Sequence, residues 1–381
     1  VSQTPGAGSA GRVVVAGALA RRLDQGGHVW FLLQYVRGLQ RLGWDVVVVD
    51  RVDPGSDDAA RAAGALLDGL GLAGRWAVLV DGTDRSAGLS RRALGRLLDG
   101  ADLLIDVMGY LDDPALADRC RTRVFLDCDP GFPQLWDELG WASLLEGHDV
   151  FVTVGTNIGG PDCTVPTRGR RWIPTLPPVL LEAWPALPPA PGRVTTVASW
   201  RGPFGPIERD GERLGLRVHG FRPLVGVAGR SPWPVELALA IDPWDGDDLA
   251  GLHAAGWRTV DPREVAATPD AYRRYVQGSS AELSVAKELY VATRSGWFSD
   301  RSACYLASGR PVVTQDTGCT LLPSGAGLLT FDDADGAVAA LEAVADDLAG
   351  HCRAARALAE EHLDSDRVLG RLVAEAAAVA A

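Results

Sequence analysis

Apolar residues along this chain fall into segments of two kinds. Runs such as "RVVVA" from Arg12 and "DVVVVD" from Asp45 are short and continuous, the pattern of strands buried on both faces. Between them lie longer stretches with apolar residues three and four apart. In "HVWFLLQYVRGLQRLG", Val29, Leu32, Leu33, Val36 and Leu39 keep that helical spacing, and Gly43 supplies the stop. The rhythm continues through strands "WAVLVD", "DLLIDV", "RVFLDCD" and "DVFVTVG", with helices near Ala59–Leu70, Ser90–Leu98 and Pro114–Arg119. Alternation of this kind predicts a doubly wound parallel sheet.

The rhythm breaks at "WIPTLPPVLLEAWPALPPAPG", which is dense in proline and keeps neither period, so it reads as an extended linker. It then restarts. "RVTTVASW", "ELALAI", "WRTVD", "AELSVAK", "RPVVTQD" and "GLLTFDD" read as strands, and "DGDDLAGLHAAG", "DAYRRYVQGS" and "SDRSACYLASG" as helices. Two alanine-rich helical segments, Ala337–Glu360 and Ser365–Ala380, close the chain. The expected fold is α/β: two facing Rossmann-like domains with a cleft between them and C-terminal helices. The expected boundaries are 11–172 for the first domain, 173–192 for the linker, 193–364 for the second domain and 365–381 for a final helix.

Size agrees with two cores, since 381 residues at 47% hydrophobic exceed one ordinary domain. The formal charge of −12, with no basic cluster, argues against nucleic acid or an anionic membrane as partner and favours a small molecule. No apolar run approaches the ~18 residues of a membrane span, and "VSQTPGAGSAG" lacks a signal-peptide layout, so a soluble, cytoplasmic protein is expected. The six cysteines show no metal-ligand spacing and read as reduced. Of the 37 basic residues only Lys287 is a lysine.

Ligands of doubly wound folds bind at the carboxyl ends of the strands, so candidate chemistry is sought there. Gly26 and Gly27 allow close backbone approach at the start of a helix, where free N–H groups favour an anion. His28 follows at once, and the helix dipole disfavours its imidazolium, leaving a base. Such a base needs an orienting carboxylate. Asp106, at the end of an apolar strand, is the first choice, with Asp127 or Asp129 behind it. In the second half, "TRSGWFSDRSACYLASGRPVVTQDTG" combines Ser295 and Gly296 in a loop, Ser299 or Asp300 as N-cap, and Arg301 and Ser302 on the helix. Loop, helix start and strand in this order can cradle phosphates. Lys287, just upstream, would add a compact point charge.

These two stretches resemble the GT-B glycosyltransferases, through "GGH" leading to "LGWDVVVVD" and through "ASGRPVV" after a phosphate-facing helix. The resemblance implies transfer of a sugar from a nucleotide diphosphate to a small acceptor, with His28 as general base, Asp106 or Asp129 as its partner, and Ser295–Ser302 on the diphosphate. It also implies Asp316 and Thr317 on the donor sugar. Retaining members carry two glutamates eight apart, where this chain has Gly296 and Cys304. That departure implies inversion. "DGDD" at Asp245–Asp248 reads as helix-capping charge, so no metal and no cofactor beyond the co-substrate is expected. The acceptor would be a natural product or an envelope precursor. Two other readings remain open: an epimerase or hydrolase of the same architecture, and a two-domain binding protein without catalysis.

Overall fold

The structure, a computed structural model, describes residues 10–380. The first sheet runs through β1 (Arg12–Ala16), β2 (Asp45–Val52), β3 (Trp76–Val80), β4 (Ser86–Gly88), β5 (Leu103–Val107), β6 (Thr122–Asp127), β7 (Val150–Thr153) and β8 (Trp172–Pro174). Their order is β4-β3-β2-β1-β5-β6-β7-β8, parallel except for the edge strand β4. Helices α1 (Gly26–Arg41), α2 (Asp57–Gly69), α3 (Arg91–Leu98), α4 (Pro114–Ala117) and α5 (Phe132–Glu138) belong to this half. The apolar runs are buried on both faces because helices cover both: Val13 and Val15 join one core cluster, and Val14 and Ala16 another.

The second sheet comprises β9 (Val194–Ser199), β12 (Val235–Ala240), β13 (Arg258–Val260), β14 (Ala281–Ser284), β15 (Val312–Gln315) and β16 (Leu328–Phe331), all parallel, in the order β13-β12-β9-β14-β15-β16. A small hairpin, β10 (Ile207–Arg209) with β11 (Glu212–Leu214), precedes α6 (Arg217–Phe221). The other helices are α7 (Gly246–Ala254), α8 (Pro262–Val265), α9 (Pro269–Gln277), α10 (Glu288–Ala292), α11 (Asp300–Ala307), α12 (Ala334–Asp346), α13 (Leu348–Leu358) and α14 (Ser365–Ala380). The single segment expected over Ala337–Glu360 is divided, because the Asp347 carboxylate caps a new helix by accepting from the Gly350 N–H.

The proline-rich joint is packed rather than loose. Its first residues extend β8, so the strand crosses the expected boundary at 172. Beyond it, the Leu180 N–H donates to the Gln34 side chain, Val179 bridges to Asp364, and Trp184 is fully buried beside Trp30 and Tyr272. The chain then returns. Helix α14 packs on α1 and on β6 and β7 of the first domain, and Arg41 clasps Asp366. One apolar cluster therefore runs from Val13 through Trp184 to Tyr305 and Ala376. Among the described residues no helix is long and apolar enough to cross a membrane.

The domains also meet at the start of α1. The Gly26 N–H, an orphan donor of that helix end, is satisfied by the Ala266 carbonyl of the second domain at 2.8 Å. A Cβ on Gly26 would lie 2.2 Å from the Thr268 carbonyl oxygen, and one on Gly27 would lie 2.9 Å from the Tyr272 ring. Glycine is thus required here by backbone approach across the joint. Gly26→Ala should lower unfolding stability by about 1–3 kcal/mol through overpacking. Urea unfolding of variant and parent measures it, and equal midpoints would contradict this docking.

Candidate active site

Both sheets turn their carboxyl ends toward each other. In the second, the chain passes from β9 to β12 and β13 on one side, then to β14 on the other, which makes the end of β9 a topological switch point. A cleft of about 880 Å³ opens there. Its walls are the ends of β9, β12 and β13, the segment from Arg22 to His28 of the first domain, and Arg217, Asp300 and Arg301.

The charges on these walls are unevenly matched. Arg263 is paired with Asp261 and Arg201 with Asp245, while Arg22 reaches the Gln25 amide at the rim. Arg301 is buried and fully engaged: Nε on the carboxylate of Glu282, the other nitrogens on the Val197 carbonyl at 3.0 Å and the Ser284 hydroxyl at 2.9 Å. Burial opposes the Arg301 charge, but Glu282 more than restores it. Arg217 differs. Among the described residues it has no ion pair, and its buried Nε has no hydrogen-bond partner. Burial, followed by the repulsion of Arg301, pulls its guanidinium down to about 10. A guanidinium left in this state at a cleft wall attracts an anion.

His28 stands on the facing wall. Asp50, buried at the end of β2, accepts from the Leu19 N–H at 3.0 Å and the Ala20 N–H at 2.5 Å, which fixes the turn between β1 and α1. That turn presents the Ala18 carbonyl to His28 Nε2 at 2.5 Å. A carbonyl only accepts, so Nε2 carries the proton and Nδ1 keeps its lone pair. Burial, then the Arg22 charge, lowers the imidazole below its ordinary value, while the Ala18 bond opposes them. His28 is a neutral base held by a backbone carbonyl.

The expected carboxylate partner is absent. Asp106 accepts instead from the Leu111 N–H at 3.0 Å and lies 3.2 Å from His148 Nε2. Asp129, on the loop after β6, is bound by Lys287 and Tyr290 of the second domain. Asp127 beneath it accepts from Gln134, Thr153 and the Asp129 N–H, and burial pushes its carboxyl up to about 6. Lys287 is thereby corrected from a diphosphate ligand to half of a buried interdomain ion pair. Its ammonium lies 4.6 Å from the Phe132 ring centre and 5.2 Å from those of Phe204 and Tyr290.

The expected phosphate loop is likewise largely turned away from the cleft. Ser295 is buried with its hydroxyl on the Tyr290 carbonyl, and Gly296 bonds through its carbonyl to Thr156 and through its N–H to Thr317. Gly296 has φ +75°, and a Cβ there would strike Thr156 at 2.4 Å. Ser299 caps α11, and Ser302 is buried against Ser284. Asp316 accepts from the Gly318 N–H, and Thr317 donates to the Trp297 carbonyl. Ser295 and Gly296 anchor the second domain to Asn157 and Thr156 of the first, while Ser299, Ser302, Asp316 and Thr317 bond within the second domain. Gly26 and Gly27 do border the cleft, although the Gly26 N–H is already taken. Asp245 and Asp248 hold Arg201 and Arg222. Arg217 escaped the sequence reading because nothing separates it from 35 other arginines except its place after the apolar turn "LGL".

No protein-family model matches the chain, and no curated protein does. Solved structures do. HepE of Anabaena, in complex with UDP and glucose, aligns with TM-score 0.60 at 11% identity over 97% of this chain and 100% of its own. An alpha-glucosyltransferase in complex with UDP-glucose and DNA gives 0.59 at 12% identity over 96% and 99%. AviGT4, a glycosyltransferase involved in avilamycin A biosynthesis, gives 0.55 at 13% identity over 97% and 98%. The chain has the two-domain GT-B fold of these proteins. Because one of them was solved with DNA, this fold does not by itself exclude nucleic acid as a partner.

The Asp129–Lys287 pair yields a stability prediction. Lys287→Met should leave the Asp129 carboxylate uncompensated at the joint and cost about 3 kcal/mol, the lower end for breaking a buried pair, since Asp129 is 28% exposed. Nucleotide affinity should change little. Chemical unfolding paired with UDP titration distinguishes this from the sequence expectation, under which binding, and not stability, would fall.

Proposed function

We propose that this protein transfers the sugar of a UDP-sugar to a hydroxyl of a small acceptor, with inversion at the anomeric carbon and UDP as the leaving group. The observation that carries the reading is Arg217, a guanidinium with an unbonded Nε and, among the described residues, no ion pair, on the wall of a cleft at the switch point of the second sheet. A diphosphate supplies the missing charge, and the GT-B fold shared with UDP-bound glycosyltransferases supports that choice. The acceptor hydroxyl gives its proton to His28 Nδ1 as its oxygen forms the new bond to the anomeric carbon. The bond from that carbon to the diphosphate breaks, and the leaving charge is met by Arg217. Proton removal of this kind contributes about 10²–10⁴-fold, and charge stabilisation in a partly dry cleft adds to it. The net charge of −12 favours a small acceptor over a nucleic acid.

Calorimetric titration tests the donor. UDP should bind the parent, and Arg217→Ala should weaken it by about 1.5–3 kcal/mol, the range for a charged hydrogen bond. Unchanged affinity would sink the reading. His28→Ala should abolish transfer with UDP affinity retained. Because His28 is lowered, the acid limb of kcat/KM should lie below 6.5, the ordinary histidine value. Rate is kept as pH falls through that value and is lost only when Nδ1 protonates. A guanidinium in the diphosphate site makes a divalent cation unnecessary, so EDTA should leave turnover of UDP-sugar unchanged.

A further inference from the structure

Asp300 is the first residue of α11, and it was grouped with the diphosphate ligands by its place beside Ser299. Its chemistry contradicts that grouping, since a carboxylate repels phosphate oxygens. The structure leaves it open to the cleft and, among the described residues, without an ion pair, because its neighbour Arg301 is turned inward to Glu282. Burial raises its carboxyl, with the Arg301 charge opposing. It shares the cleft wall with His28 of α1 and Tyr272 of α9, which places it where the domains face each other. Its charge reaches Arg217. A second group there lacks a partner: the Tyr35 hydroxyl, in a side chain only 1% exposed, has no hydrogen bond.

A cation and a carboxylate at one end of a single cleft suit a ligand with an anionic part joined to a part rich in hydroxyl donors. An ionised carboxylate only accepts, and its two oxygens can take bonds from hydroxyls of a sugar ring. A sugar bearing its own carboxylate would set like charges side by side on the cleft wall. We propose that Asp300 is a specificity residue for the donor sugar, which accepts hydrogen bonds from the hydroxyls of a neutral sugar and rejects uronates. This rests on the nucleotide-sugar reading above.

Titration of UDP, UDP-glucose and UDP-glucuronate into parent and Asp300→Asn tests it. The parent should hold UDP-glucose at least about tenfold more tightly than UDP-glucuronate. Asp300→Asn should lose about tenfold for UDP-glucose, keep UDP within about twofold, and erase the preference over UDP-glucuronate. A preference that survives the substitution, or an equal fall for UDP itself, overturns the assignment while leaving the donor reading intact. A parent that binds no UDP sinks the donor reading and takes this assignment with it.

Discussion

The buried carboxylate of Glu282 is taken by Arg301, while Arg217 beside them has no ion pair among the described residues, and much of the cleft follows from that asymmetry. Glu282 lies inside β14 with no exposed surface, and it binds Arg301, the first residue after Asp300 on α11. Arg301 then spends its remaining nitrogens on the Val197 carbonyl of β9 and the Ser284 hydroxyl of β14. The pair ties helix to sheet at the switch point, where the two halves of the sheet diverge. Arg217, close by, is repelled by Arg301 and has no ion pair among the described residues, and the more distant charges of Asp129 and Asp300 offset this only in part. A fold that buries charge at a cost of several kcal/mol per ion rarely leaves one uncompensated unless a ligand completes it.

The same economy of contacts brings the second wall into place. The Gly26 N–H meets the Ala266 carbonyl, Asp129 meets Lys287 and Tyr290, and Thr156 and Asn157 meet the carbonyls of Gly296, Arg294 and Gly318. Each contact uses residues that stand at strand ends, where binding groups also stand. Position alone therefore cannot tell an anchor from a ligand contact. What separates them is whether the polar atoms are already satisfied: those of Arg301, Lys287 and Thr317 are, and those of Arg217 and Tyr35 are not.

The architecture was legible because burial on both faces writes itself as continuous valine runs, as in Val46–Val49, and because helix ends carry their own marks, such as Gly43 at φ +84°. Short pieces with few residues to show a period, among them β4, α5 and the β10–β11 hairpin, were not read from the sequence. The position of His28 in the first turn of α1, beside the cleft, was legible, and its acceptor, a backbone carbonyl, leaves no trace in residue identity. The dyad with Asp106 failed for a related reason. Two strand-end aspartates look alike in sequence, and only the path of the loop carrying His148 decides which partner Asp106 meets. Lys287 was correctly singled out as unusual, but rarity marked a buried pairing and not a binding site.

That lysine has a consequence for the surface. It is the chain's only lysine, and it is 7% exposed within three aromatic rings, so no lysine ε-amine is offered to the surroundings while the fold persists. Apart from six histidines, every other basic side chain is a guanidinium, which stays protonated at any ordinary pH and is a poor nucleophile. Unprotonated amines attack aldehydes, including the open-chain forms of free sugars. The folded protein gives them no lysine to react with, and amine-directed acylation or cross-linking at Lys287 would report on opening of the joint between the domains.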